Sequence, residues 1–215
     1  MSALTVHPGG ALHGRLRVPG DKSISHRALL LGALAEGMST IHGFLPSGDC
    51  LATLGCLEAL GIAVERESET ELTVQGHGLH GLKGPTEALN CVRSGTTMRL
   101  LTGMMAGQRF DSTLTGDPQL LRRPMGRVVV PLRRMGAVIT DIEGCAPLAI
   151  QGQSLHGMEH RLEIASAQVK SALLLAGLYA EGMTTVSQPG PARDHTERML
   201  GAMGAALAVE GLTVG

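Results

Sequence analysis

Three segments of the chain repeat one pattern, and the first of them reads Ser23-Ile-Ser-His-Arg-Ala-Leu-Leu-Leu-Gly-Ala-Leu-Ala-Glu-Gly37. The second reads Ser94-Gly-Thr-Thr-Met-Arg-Leu-Leu-Thr-Gly-Met-Met-Ala-Gly107, and the third reads Ser166-Ala-Gln-Val-Lys-Ser-Ala-Leu-Leu-Leu-Ala-Gly-Leu-Tyr-Ala-Glu-Gly182. Each copy opens with Ser, continues through an apolar run and closes on Gly. This pattern is typical of an N-cap, a mostly buried helix and a glycine just past the helix end. The three serines lie 71 and 72 residues apart, so the repeat is regular along the chain.

The repeat continues downstream of each predicted helix. Short strand-like stretches follow at 39–43, 112–116 and 184–187. A second helical pattern then ends near Leu60, Met135 and Met203, and further strands are predicted at 71–74, 147–150 and 212–214. Each unit is therefore roughly βαβαββ. We expect an α/β fold with a pseudo-threefold repeat of βαβαββ units, in which helices pack inside and small sheets lie outside.

The amino-acid composition indicates a globular protein and gives no sign of a nucleic-acid-binding one. The 215 residues include 43% hydrophobic and 17% charged residues, which is typical of a globular chain. There is no Trp, one Tyr and two Phe, so Leu, Ala, Val and Met must fill the core. The formal net charge is −1, so no global positive field favours nucleic acid as a partner. Local clusters of Lys and Arg are left to bind any anion.

The cysteines and the apolar runs predict a cytoplasmic protein. The four cysteines, which are Cys50, Cys56, Cys91 and Cys145, form no C-x-x-C pair and no zinc pattern, and we expect reduced buried thiols. The stretch Met1–Gly20 lacks the apolar core of a signal peptide. No apolar run approaches the roughly 20 residues that a membrane helix needs. We therefore predict neither a metal site nor a membrane partner.

The starts of the predicted helices carry cations and hydroxyl groups. A helix start presents free N–H groups and about half a positive charge, which suits an anion. Basic or hydroxyl residues stand at the repeated starts, namely Lys22, Ser23 and Arg27 in the first, Arg93, Ser94, Gly95 and Thr96 in the second, and Ser166, Gln168 and Lys170 in the third. Two further clusters, Arg122-Arg123-Pro124 and Arg193-Asp194-His195-Thr196, precede second-type helices, and Pro124 suits a first helical turn. Arg and Lys beside oriented N–H groups would bind phosphate or carboxylate.

Simpler interpretations exist for each residue alone. A single Ser at these positions can be only a helix cap, and a single Arg only a solvated charge. Asp194-His195 is interpreted as structural capping, since no further metal ligand is near in sequence. Nucleotide binding through a P-loop is excluded, because Asp21 stands where the motif needs Gly before Lys22. Five such clusters at equivalent repeat positions favour an anion site.

Five ordered motifs resemble the 5-enolpyruvylshikimate-3-phosphate synthase family and together cover essentially the whole chain. They read Pro19-Gly-Asp-Lys-Ser-Ile-Ser-His-Arg27, Ser94-Gly-Thr-Thr-Met-Arg-Leu-Leu101, Leu121-Arg-Arg-Pro-Met125, Ser166-Ala-Gln-Val-Lys-Ser-Ala-Leu-Leu-Leu-Ala176 and Arg193-Asp-His-Thr-Glu-Arg-Met-Leu200. The resemblance implies an inside-out α/β barrel built twice, with the active site in the cleft between two threefold domains. It also implies no metal and no organic cofactor.

The resemblance implies a role for nine residues. Lys22 would be the catalytic residue and would touch both substrates, shikimate-3-phosphate and phosphoenolpyruvate. Shikimate-3-phosphate would be held by Ser23, Arg27, Ser166, Ala167 through its backbone, Gln168 and Arg193. Gly95 and Arg123 would line the pocket for phosphoenolpyruvate. The family's acidic general base and its remaining cationic contacts come from a carboxy-terminal half, which would be the partner of this amino-terminal half.

The resemblance also predicts domain boundaries. Residues 1–20 would belong mostly to the other domain, and residues 21–215 would form one threefold domain, truncated in its last strand pair. The sequence stops at Gly215, inside the strand that corresponds to the one at Leu72. We therefore expect an incomplete version of the family's architecture.

Other functions remain open. A sister enolpyruvyl transferase acts on a UDP-amino sugar, but its first motif pairs Lys with Asn and its mobile loop carries Cys, whereas this chain has Lys22-Ser23 and no Cys near Arg122. A phosphate-binding module without catalysis, or one chain of a split enzyme, is the alternative of a different class. Arg93 departs from the Asn that many family members carry, which leaves the contact at the second helix start open.

Overall fold

The structure, a computed structural model, describes residues 3–11 and 13–215. The helices are α1 Lys22–Leu34, α2 Gly48–Ala59, α3 Gly95–Ala106, α4 Pro118–Leu121, α5 Gly126–Arg134, α6 Ala167–Gly177 and α7 His195–Ala202. The strands are β1 Glu36–His42, β2 Ala63–Arg66, β3 Glu71–His77, β4 Leu89–Asn90, β5 Ser112–Thr115, β6 Val138–Ile142, β7 Cys145–Gln151, β8 Leu155–His156, β9 Glu159–Arg161, β10 Ala180–Glu181, β11 Thr185–Ser187, β12 Val209–Glu210 and β13 Thr213–Val214. The three repeated segments thus form α1, α3 and α6.

Three sheets share one strand order, which confirms the predicted repeat. The orders are β1-β3-β2, β4-β5-β7-β6 and β9-β11-β13-β12. In each sheet the last strand of the unit lies between two antiparallel neighbours. These central strands are β3 between β1 and β2, β7 between β5 and β6, and β13 between β11 and β12. The second and third units add a leading parallel strand, β4 or β9. Ahead of α1 the described residues include no strand, so the first unit is αβαββ rather than the predicted βαβαββ.

The core is built on the three repeated helices. Leu29 of α1, Met98 of α3 and Leu173 of α6 are completely buried, and most other side chains of these helices are buried as well. Helices α3 and α6 pack so closely that a Cβ at Gly103 would collide with the backbone carbonyl of Ala172. Small residues at this crossing let two backbones approach without a cavity. Helices therefore lie inside and the sheets outside, as predicted.

The helix starts agree with the sequence in two units and differ in the first. Ser94 Oγ accepts a hydrogen bond from the Thr97 backbone N–H at 3.1 Å, and Ser166 Oγ accepts from Val169 at 3.4 Å. Ser23 was predicted to be the equivalent cap, but Asp21 caps α1 by accepting from the Ile24 N–H at 2.8 Å. A carboxylate is as good an N-cap as a hydroxyl, which leaves the Ser23 side chain free for tertiary contacts.

The predicted glycine ends and the predicted proline start are wrong in detail. Only Gly107 directly follows its helix, and its φ of −97° is not left-handed. Gly37 lies inside β1, where its φ of +91° fits a residue without Cβ, and Gly182 follows β10. Pro124 lies between α4 and α5, so it precedes the helix that it was expected to start. Sequence patterns locate helices better than they locate helix ends.

The chain before α1 lies apart from the barrel. Residues 3–11 and 13–19 have no helix or strand and are exposed, and Gly20 is the first residue packed against the rest, beside the Gly43 carbonyl. Met1, Ser2 and Leu12 of the predicted 1–20 segment lie outside the described residues. None of the helices in the described ranges is long and apolar enough to cross a membrane.

Candidate functional site

Helices α1, α2 and α3 begin at one place, and Asp49 joins them. Its carboxylate pairs with the Lys22 ammonium, and its backbone carbonyl accepts a hydrogen bond from Thr97 Oγ1 at 3.2 Å. Lys22 is about half exposed, so its ammonium can leave Asp49 and meet a ligand. Asp49 therefore holds Lys22, the predicted catalytic residue, close to the first residues of three helices.

A buried chain of hydroxyls lies beneath these three starts. His26 Nδ1 lies 2.6 Å from Thr53 Oγ1, which lies 2.7 Å from Thr97 Oγ1. Thr97 Oγ1 in turn lies 2.7 Å from Ser94 Oγ. Burial, with the Lys22 charge adding to it, lowers the pKa of His26 to about 4, so this imidazole is neutral at pH 7. These hydrogen-bonded side chains fix α1, α2 and α3 relative to one another, and none of them carries a buried charge at pH 7.

Arg27 is the buried centre that joins α1, α6 and α7. It is only 3% exposed. Its guanidinium donates to Thr196 Oγ1 at 2.6 Å, to Ser171 Oγ at 2.7 Å, and to the carbonyl and Oγ of Ser23 at 2.9 and 2.7 Å. Four of the five N–H donors therefore have acceptors within the protein. Through two of these hydrogen bonds Arg27 holds Ser23 in position.

The buried Glu197 carboxylate favours the charged form of Arg27. Burial lowers the pKa of the Arg27 guanidinium, whereas the nearby Glu197 carboxylate raises it. Glu197 is itself paired with Lys170, and their side chains are 6% and 5% exposed. The ion pair therefore lies in the protein interior, where charges need partners.

His195 lies in the candidate site rather than serving as part of a cap. Its Nδ1 lies 2.9 Å from Ser23 Oγ, and 3.8 Å from Asp21 Oδ1. Asp194 occupies the N-cap position of α7, but its side chain makes no capping hydrogen bond. The capping expected of Asp194-His195 is therefore wrong, because the imidazole contacts the start of α1 instead.

The starts of α3 and α6 meet near Gly95, together with Arg123 from the segment between α4 and α5. A Cβ on Gly95 would lie 2.7 Å from Arg99 Nη1 and 3.0 Å from Arg123 Nη1. Arg99 Nη1 also donates to Gln168 Oε1 at 2.9 Å, and Gln168 Nε2 donates to Thr96 Oγ1 at 3.0 Å. A side chain at this position would displace the two guanidinium groups that pass over the Gly95 Cα.

The remaining predicted residues lie around these clusters with fewer contacts. Arg193 is exposed directly before α7 and close enough to Arg27 for its charge to lower the pKa of that guanidinium. Ala167 begins α6, so its backbone N–H has no partner within the helix. Arg93 is exposed and paired with Asp117 at 2.9 Å, which accounts for its position at the second helix start.

Some contacts of the site were not predicted from the sequence. Arg99 stands within the second motif, yet its nearest partner, Gln168, is 69 residues away. Asp49 and Ser171 were likewise given no role, and Thr196 was named only as a member of the cluster that starts at Arg193. Cys50, Cys56 and Cys91 are buried free thiols and Cys145 is half-buried. Within residues 3–11 and 13–215, no three His, Cys, Asp or Glu side chains form a cluster that could hold a metal ion.

Comparisons with known proteins identify one family. The sequence model of EPSP synthase (3-phosphoshikimate 1-carboxyvinyltransferase) matches residues 6–214. The chain is 59% identical to the 3-phosphoshikimate 1-carboxyvinyltransferase of Alkalilimnicola ehrlichii, covering 97% of this chain and 47% of that protein. It is 56% identical to that of Methylococcus capsulatus, covering 96% of this chain and 48% of that protein.

A solved structure of the same family is similar to this chain. EPSP synthase from Acinetobacter baumannii superimposes with a TM-score of 0.91 at 51% identity, over 94% of this chain and 46% of that one. The chain thus spans about half the length of the relatives that it matches. Since the family model covers nearly the whole chain, the protein belongs to the EPSP synthase family.

Proposed function

We propose that this chain is the amino-terminal, shikimate-3-phosphate-binding half of an enolpyruvyl transferase. The complete enzyme would transfer the enolpyruvyl group of phosphoenolpyruvate to the 5-hydroxyl of shikimate-3-phosphate and release phosphate, in the shikimate pathway to aromatic amino acids. One observation carries the proposal: helix starts from all three repeats converge on Lys22, Ser23 and Gln168. Such starts, lined by cations, favour ligands that carry phosphate and carboxylate.

Shikimate-3-phosphate would bind where α1, α6 and α7 begin. Its phosphate would meet the free N–H groups at Ser166 and Ala167 and the exposed guanidinium of Arg193. Ser23, held by Arg27 and His195, would present its hydroxyl to the ligand. Gln168 would contact a ring hydroxyl through the amide hydrogen that Thr96 leaves free.

Phosphoenolpyruvate would bind next to it, between Gly95 and Arg123. The absence of a side chain at Gly95 leaves the α3 start open beneath two guanidinium groups. Lys22 would lie between the two ligands and would be released from Asp49 when they bind. An ammonium placed there stabilises negative charge that develops on the transferred group.

The chemistry needs groups from beyond this half. The 5-hydroxyl oxygen bonds to the enol carbon while the methylene carbon takes up a proton to become a methyl group. The carbon–oxygen bond to phosphate then breaks and the methyl group gives up a proton, which restores the carbon–carbon double bond. A base must remove the hydroxyl proton and an acid must supply the methylene proton. We propose that a complementary carboxy-terminal half supplies the acidic base and closes the cleft against water. Residues 1–20 would belong to that second domain, and the enzyme would work in the cytoplasm.

Turnover by the purified chain, with and without the complementary half of a close relative, tests this function. We expect negligible phosphate release by the chain alone, because loss of a general base by itself costs about 10²–10⁴-fold. Phosphate release should appear when both halves are mixed. Ligand binding with no turnover in the mixture would favour a phosphate-binding module, and normal turnover by the chain alone would contradict the division of roles.

A further inference from the structure

Arg99 has no role in the proposed chemistry, yet it lies where the two proposed substrate subsites meet. It belongs to α3, whose start would face phosphoenolpyruvate, and it reaches α6, whose start would face shikimate-3-phosphate. One atom, Nη1, donates both to the Gly95 carbonyl at 3.2 Å and to Gln168 Oε1 at 2.9 Å. The side chain is therefore a direct link between two repeats.

The link fixes the orientation of the Gln168 amide. Oε1 accepts from Arg99, and Nε2 donates to Thr96 Oγ1 at 3.0 Å. Rotating the amide by half a turn would place its NH₂ group against the guanidinium, donor against donor. Without Arg99, both orientations become accessible. While Arg99 is in place, the amide has a single orientation. The Nε2 hydrogen that is not bonded to Thr96 therefore points in one fixed direction.

Arg99 is also part of a cationic cluster with Arg123 and Arg127. Burial lowers the pKa of the Arg99 guanidinium, and the charges of Arg123 and Arg127 lower it further. Across the ranges that the structure describes, none of the three arginines forms an ion pair with a carboxylate. A bound anion would supply the missing counter-charge. Arg127 supplies charge without a hydrogen bond to Gln168, which makes it a matched control.

We propose that Arg99 is a positioning residue that holds Gln168 in its ligand-binding orientation and so determines the affinity for shikimate-3-phosphate. This inference rests on the proposed function, because it concerns the same ligand. Arg99 acts through Gln168, so its effect on that ligand disappears when Gln168 is absent. A guanidinium that acted only through its charge would weaken binding in either background.

Titration calorimetry with shikimate-3-phosphate on Arg99→Met, Gln168→Ala and the double variant tests the inference. We expect Arg99→Met to weaken binding about tenfold, which is the effect of losing one charge-assisted hydrogen bond. In the Gln168→Ala background the same change should alter affinity by less than about twofold, since coupled residues are not additive. Arg127→Met, which removes equal charge, should weaken binding by less than about threefold, since an exposed charge contributes about 0–1 kcal/mol.

The outcomes separate this inference from the proposed function. Absence of binding by the wild-type protein overturns both. Wild-type binding with an unchanged affinity in Arg99→Met, or with equal losses in both backgrounds, overturns the positioning role alone. If thermal unfolding shows that Arg99→Met is not folded, Arg99→Lys replaces it in the cycle. The lysine side chain is shorter than that of arginine and does not bring its ammonium to the position of Nη1, between the Gly95 carbonyl and Gln168 Oε1, so the same loss is expected.

Discussion

Breaking the buried ion pair between Lys170 and Glu197 should destabilise the whole barrel. Both side chains are about 5% exposed, and the pair joins α6 to α7. The second carboxylate oxygen of Glu197 has no hydrogen-bond partner. The carboxylate also opposes the effect of burial on the pKa of Arg27. Glu197 therefore balances two buried cations.

The size of the effect follows from this charge balance. Removing one partner of a buried pair typically costs about 3–5 kcal/mol, because the other charge is left without compensation. Glu197→Gln should be the more costly change, at the upper end of that range, since it leaves both Lys170 and Arg27 uncompensated. Lys170→Met should cost about 3 kcal/mol. The double variant should be less destabilised than the sum of the singles by about 2 kcal/mol, because it leaves only one unpaired charge.

Urea unfolding of the two single variants and the double variant measures these free energies. The exposed pair of Arg161 and Glu159 is a matched control, since its side chains are 82% and 55% exposed. Replacing both residues of that pair by Ala should change the free energy of unfolding by less than about 1 kcal/mol. Strict additivity at Lys170 and Glu197, or single losses as small as those of the control, would show that the pair is not buried as described.

Two further predictions concern the helix starts. Gly95→Ala should leave the unfolding midpoint nearly unchanged, because the new Cβ meets only the flexible ends of Arg99 and Arg123. It should weaken phosphoenolpyruvate binding, measured calorimetrically with saturating shikimate-3-phosphate, by about tenfold through displacement of one charge-assisted bond; equal affinity would contradict the role of Gly95. The second concerns the pKa of His26, which burial lowers from 6.5 to about 4. Stability should therefore fall by about 3 kcal/mol as pH drops from 6.5 to 4, since only the unfolded state takes up that proton. His26→Asn should flatten this part of the urea-unfolding profile, and an unchanged slope would contradict the assignment.

The repeat could be predicted from sequence because it depends on local chemistry. A helix that is apolar on all sides needs Ala, Leu and Met along its whole length, and this composition is visible in all three segments. The helix that Asp21 caps was placed correctly, although the cap itself was assigned to Ser23. Both residues are good caps, so the sequence alone could not decide between them. The tertiary contacts of Ser23 with Arg27 and His195 decide it.

The roles within the site were less accessible, because the partners are far apart in sequence. Arg27 was expected to contact a ligand, and its burial against Ser171 and Thr196 depends on residues 144 and 169 positions away. Nothing in the pattern around Arg99 distinguishes it from a solvated helix charge. Only the packing of α3 against α6 brings it to Gln168. Sequence patterns predict which helix starts form the site, and the structure shows which side chains connect those starts.

The central proposal is that these helix starts bind shikimate-3-phosphate without a complementary half. Its most direct test is a calorimetric titration of the wild-type chain and Lys22→Ala, with Lys83→Ala as a control because Lys83 is exposed and its backbone contacts Leu60, beyond the end of α2. We predict binding by the wild type and Lys83→Ala, and an affinity at least about tenfold weaker for Lys22→Ala. Absence of binding at millimolar ligand, or equal affinity in all three proteins, would contradict the claim.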